Sequence, residues 1–99
     1  MAEFVVVISD RAKADIAEIV SYLVPRAGRQ IAHTYVDEII DYCLGFSLFP
    51  NRGTVVGTKH NMRAVGFNRQ ATIVFRVGRG QVTILRIFHR GRNIELDEI

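Results

Sequence analysis

The sequence predicts an α+β domain of order β-α-α-β-β-β, with a helical hairpin packed on one side of a mainly antiparallel sheet. Three observations carry that prediction. Two consecutive segments repeat apolar residues at helical spacing with a short link between them, so they pack side by side. A Pro/Gly break at 49–53 then ends helical periodicity. Beyond it, runs rich in β-branched and aromatic residues are separated by turn residues. The 99 residues suffice for one core and one domain, residues 1–99.

Phe4-Val5-Val6-Val7-Ile8 is a continuous apolar run, expected as a strand buried on both faces. Ser9 or Asp10 follows as a helix N-cap. Ile16, Ile19, Val20 and Leu23 recur at i, i+3, i+4 and i+7, while Arg11, Lys13, Asp15 and Glu18 are expected to point elsewhere. Pro25 is expected to end this helix. Pro25-Arg26-Ala27-Gly28 makes the link to a second helix over about Gly28 to Phe46, with Ile31, Tyr35, Ile39, Tyr42 and Phe46 on its apolar side, a stripe widened by Val36, Ile40 and Cys43.

Phe49-Pro50-Asn51-Arg52-Gly53 opens a loop, since proline cannot continue a helix and Asn and Gly accept turn geometry. Strands are expected over Met62 to Phe67, Ala71 to Val77 and Gln81 to His89, the last two joined by Gly78-Arg79-Gly80. A three-residue turn would place Val77 opposite Gln81 and give side chains of equal parity one face. Ile73, Phe75, Val77, Leu85 and Ile87 would then face the helices. Thr72, Val74, Arg76, Val82, Ile84 and Arg86 would face away.

Charge is segregated along this chain. No carboxylate occurs from Tyr42 to Ile94, whereas that stretch holds Arg52, Lys59, Arg63, Arg69, Arg76, Arg79, Arg86, Arg90 and Arg92. Such a positive field attracts polyanions. Eleven of the 13 basic residues are arginine, whose planar guanidinium suits phosphate. Arg76 and Arg86 are expected on one sheet face, with Arg63 on a neighbouring strand and Arg90 beyond the strand end.

His89 precedes Arg90-Gly91-Arg92, and neighbouring cations favour its neutral form. It reads equally as a general base or as a strand-end histidine bonded to backbone. Three scattered histidines with a single Cys43 make no metal site, and no cofactor motif is present. Cys43 reads as a buried small hydrophobe. The lone cysteine, the absence of a basic leader and the lack of a membrane-length apolar run lead us to expect a cytoplasmic chain with no membrane association. Apolar residues make up 48% of it, enough to expect apolar surface covered by another protein.

The helix opening Ser9-Asp10-Arg11-Ala12, the Phe49–Gly53 break, the Met62-Arg63 strand, the Ala71–Val77 strand and the ending Val82–Arg92 together resemble the RelE/ParE superfamily of type II toxin–antitoxin toxins. That resemblance spans nearly the whole chain. It implies one of two activities: ParE-type inhibition of DNA gyrase, or RelE-type cleavage of mRNA on the ribosome. RelE-type nucleases usually carry an arginine where this sequence has Thr72, and several end with a catalytic tyrosine, whereas Tyr22, Tyr35 and Tyr42 all lie in the helical half. These departures favour the ParE reading, with no catalytic residue in this chain.

On that reading Arg63, Arg76, Arg86, His89, Arg90 and Arg92 are expected to contact the target. On the RelE reading His89 would move protons and Arg92 would stabilise the phosphate. The resemblance further implies growth arrest, plasmid stabilisation and a cognate antitoxin forming a hetero-oligomer with the toxin. Its helix would lie along the hairpin near Ile16, Ile19, Leu23 and Tyr35.

Overall fold

The computed structural model describes residues 3–56 and 61–89. Strand β1 (Val5–Ile8) leads into helices α1 (Asp10–Ala27) and α2 (Arg29–Leu44) and a 3-10 turn, Gly45–Ser47. Strands β2 (Thr54–Val55), β3 (Met62–Phe67), β4 (Ala71–Val77) and β5 (Gln81–His89) follow. The sheet runs β1-β5-β4-β3-β2, with β1 parallel to β5 and the remaining neighbours antiparallel. The α+β architecture is therefore the expected one, with the two-residue β2 added at an edge. Among the described residues, no helix is long and apolar enough to cross a membrane.

β1 is the opposite edge, so it is covered on one face only. Phe4, Val6 and Ile8 pack on the helix-side core, while Val5 is 62% exposed. A uniformly apolar tetrad has no alternation to reveal this, which is why burial on both faces was the expectation.

Ser9 caps α1: its hydroxyl accepts the Ala12 amide at 3.1 Å and donates to the Leu85 carbonyl at 3.1 Å. The helix continues through Pro25 to Ala27 instead of stopping before it. Pro25 lies in the final turn, where its missing N–H removes one bond of the helical ladder and few turns remain to be disturbed beyond it. Arg26 helps close that turn, stacking 3.8 Å from the Tyr22 ring centroid and donating to the Tyr22 carbonyl at 2.7 Å. Gly28 alone separates the helices, at φ 94°, where a side chain would be strained.

The buried face of α2 holds Ala32, Val36, Ile39 and Cys43, continued by Phe46. Val36, Ile39, Cys43 and Phe46 are buried as expected, but Ile31 is 59% exposed and Ala32 takes its place on the buried face. Spacings of four, three, four and three fit a helix, but the small side chain of Ala32 carries less apolar signal than Ile31.

The β4–β5 register also differs from expectation. Val77 pairs with Val82, and the turn closes by a Gly78 amide to Gln81 carbonyl bond of 2.8 Å. The pairing then slips, from Phe75 opposite Ile84 to Val74 opposite Arg86, leaving Leu85 as the extra residue of a bulge. Before the bulge Val82 and Ile84 face the helices, the reverse of the simple parity argument; after it Ile87 does. Ile19, Val36, Ile39, Phe46, Ile73 and Phe75 complete this core. Met62, Ala64, Val74 and Phe88 form a second cluster on the other sheet face, with Leu85 against it.

Candidate functional site

The far end of β5 is where chemistry-bearing residues gather. Pairing with β1 stops at Ile8 opposite Ile84, which leaves the following stretch of β5 without a strand neighbour on that side. α1 supplies one. Asp15 Oδ2 accepts the Ile87 amide at 2.8 Å and Arg86 Nε at 2.8 Å, and Oδ1 accepts Arg86 Nη2 at 3.1 Å. The carboxylate thus takes the place of a backbone acceptor and forks with a guanidinium.

Arg86 is accordingly buried, 2% exposed, with its guanidinium carbon 4.7 Å from the Phe88 ring centroid. Its expected place beside Arg76 on an open face is corrected. The backbone does set it opposite Val74, but the ion pair holds the side chain inside. Asp15 was the residue that sequence reasoning missed. Its signal was its position between Ala12 and Ile19, at helical spacing on the buried stripe.

His89 lies opposite Ala71 and turns toward the helices. Its ring meets Tyr35 edge-on at 5.5 Å and Tyr22 at 5.9 Å. Two tyrosines distant in sequence are thus packed on the strand-end histidine. Burial first, and Glu38 second, raise the Tyr35 phenol above its ordinary pKa. Its buried hydroxyl has no hydrogen-bond partner among the described residues.

Arg63 does not join Arg76. It sits opposite Phe75 on the helix side and clamps the preceding loop, donating from Nε to the Arg52 carbonyl at 2.8 Å and from Nη2 to the carbonyls of Asn51 and Gly53, each at 3.1 Å. Arg52 is held in turn among aromatic rings, 5.0 Å from Tyr42 and 5.4 Å from Phe49. Arg76 is exposed opposite Met62 on the other face. Arg90 and Arg92 lie outside the described residues. The arginines are therefore distributed over both faces.

The expected antitoxin stripe needs a similar correction. Ile19 is wholly part of this chain's own core, and Ile16, Leu23 and Tyr35 pack partly against it, because the α1 stripe is spent on the sheet. Among the described residues, the exposed large apolar side chains are Val5, Val7, Ile31, Leu44, Leu48, Phe49 and Val55. No group of three potential metal ligands occurs among the described residues. Cys43 is buried, and burial pushes its thiol up to about 12.

With this architecture in place, the family model described as ParE toxin of type II toxin–antitoxin system, parDE, matches residues 6–94. The chain belongs to the ParE toxin family. Its fold is similar to a structure of the chromosomal ParDE system from P. aeruginosa, with a TM-score of 0.76 and 20% identity over 89% of this chain and 97% of that one. It is also similar to a chain of the RelBE2 toxin–antitoxin complex from Mycobacterium tuberculosis, with a TM-score of 0.67 and 15% identity over 93% and 97%. No curated protein sequence matches. A ParE-family chain is a type II toxin–antitoxin toxin, as the sequence led us to expect.

Proposed function

We propose that this toxin acts on DNA gyrase and is neutralised by a cognate antitoxin, without catalytic chemistry of its own. One observation supports the choice of gyrase over the ribosome: among the described residues at this end of β5, the side chains of Arg86 and His89 are both engaged inside the protein. Arg86 is locked to Asp15, and the His89 ring packs against Tyr22 and Tyr35. A general base needs its nitrogen within reach of a substrate hydroxyl, and a phosphate clamp needs an accessible fork. Thr72 in the central strand, where RelE-type nucleases usually carry arginine, supports the same reading.

Supercoiling by purified gyrase and mRNA cleavage on programmed ribosomes separate the two targets. The expected result is inhibited supercoiling with intact mRNA. Cut mRNA with unimpaired supercoiling overturns the reading and returns His89 and Arg92 to catalytic roles.

The antitoxin is the partner that would cover the exposed apolar residues. A hollow of about 620 Å³ at the helix junction, bordered by Arg29, Ile31, Tyr35 and Glu38, suits an anchoring side chain from an amphipathic segment. Arg29 and Glu38 at its border would orient polar flanks of that segment. Of the residues expected for antitoxin contact, Tyr35 is retained here and Ile19 is not.

A further inference from the structure

A second cleft lies at the opposite end of the sheet from His89, between the loop after α2 and the β4–β5 turn. Its volume is about 500 Å³, and its lining includes Asn51, Val55, Asn61, Arg63, Val77 and Arg79. We propose that this cleft binds one nucleotide unit, with phosphate on Arg63 and Arg79 and base against Val55 and Val77. The side-chain amides of Asn51 and Asn61 would meet the base edge.

The argument rests first on Arg63. Three backbone carbonyls hold its Nε and Nη2, while Nη1 has no hydrogen-bond acceptor among the described residues. A guanidinium fixed in this way offers donors to a ligand without first losing rotamer freedom. The cleft is built to keep that geometry. Asn61, at φ 51°, accepts the Val77 amide at 3.1 Å and ties the start of β3 to the end of β4. Gly53, at φ 68° and close against the Ala64 carbonyl, fixes the loop whose carbonyls hold Arg63.

The chemistry of the walls narrows the ligand. Among the described residues no carboxylate lines the cleft, so an anion meets no repulsion from them. Two arginines alone would suit any oxyanion. Asparagine amides add a donor and an acceptor each, matching a base edge, and two valines add apolar walls to a volume of small-ligand size. A free nucleotide and a nucleotide within a strand share this chemistry. The inference holds whether gyrase or the ribosome is the target.

The test is a titration of the purified full chain, followed by the Nε–Hε resonances of Arg63 and Arg79 and the side-chain amides of Asn51 and Asn61. The probes are AMP, GMP, inorganic phosphate, acetate and a short single-stranded thymidine oligonucleotide. The nucleotides or the oligonucleotide are expected to shift all four groups at concentrations about tenfold below those needed with phosphate, and the tighter of the two identifies the source. Arg79→Gln and Asn61→Gly, which retains freedom for positive φ, should each weaken binding at least about fivefold with unchanged melting temperature. Equal response to phosphate or acetate overturns the proposal, as does an absence of shifts. Binding insensitive to both variants also overturns it.

Discussion

Asp15 Oδ2 joins two residues of β5 at once, accepting the Arg86 Nε and the Ile87 amide at 2.8 Å each. A side chain of α1 thereby continues the edge pairing that β1 abandons after Ile8. Removing the carboxylate strands both a buried cation and a buried backbone donor. Asp15→Ala should cost about 3–5 kcal/mol in urea unfolding. Asp15→Asn should cost less, because the amide oxygen still accepts from Ile87. Equal stability of Asp15→Ala and the parent would show that the pair is not a structural link.

Gly53 lies at φ 68°, and a Cβ placed there would collide with the Ala64 carbonyl. Neither partner can yield, since both are backbone. Gly53→Ala is therefore expected to destabilise by about 2–4 kcal/mol. Gly80→Ala is the informative comparison: its φ of 67° is similar, but nothing lies within 4 Å, so only the conformational strain remains. Thermal melts should rank Gly53→Ala well below Gly80→Ala.

Arg63 gathers the carbonyls of Asn51, Arg52 and Gly53 on one guanidinium. Arg63→Met keeps much of the aliphatic stem and removes all three bonds. The expected result is faster proteolysis in the 49–54 segment and a stability loss of about 1–3 kcal/mol. Unchanged cleavage there would mean that the loop is held by other contacts.

Burial raises the folded-state pKa of the Cys43 thiol from its ordinary 9.0 to about 12. Between those values the unfolded thiol has lost its proton and the folded one retains it, so the folded state binds more protons. Stability must then fall as pH rises, by up to about 1.4 kcal/mol per pH unit within that window. The Tyr35 phenol, also raised, contributes the same sign at higher pH. Cys43→Ala should flatten the alkaline slope between pH 9 and 10, measured by urea unfolding; an unaltered slope would assign the loss to other groups.

Ile31 and Phe49 are 59% and 62% exposed. Ile31→Asp and Phe49→Ser should each leave stability within about 0.5 kcal/mol of the parent. Ile31→Asp should reduce affinity for the cognate antitoxin at least about tenfold, as measured by calorimetry. Unchanged affinity would move the antitoxin away from the helix junction.

Much of the fold was determined by the sequence alone. The limits of β3, β4 and β5 were legible because turn residues bound them, and the helical hairpin was legible because its periodicity is local. The charge segregation was equally plain. Register and edge position were not. The uniformly apolar Val5–Ile8 run cannot say how many of its faces are covered, and the Leu85 bulge reverses side-chain parity through a pairing between strands.

The candidate site depended most on tertiary structure. Asp15 and Arg86 are 71 positions apart, and so is any sequence signal of their pairing. Tyr22 and Tyr35 come to His89 only when the hairpin folds over β5. Sequence established that the C-terminal half carries many arginines; packing decided which are spent inside and which remain to meet an anion. The physical reason is that a charge is assigned to partner or core by the nearest desolvated counter-charge, and that distance exists only in the folded chain.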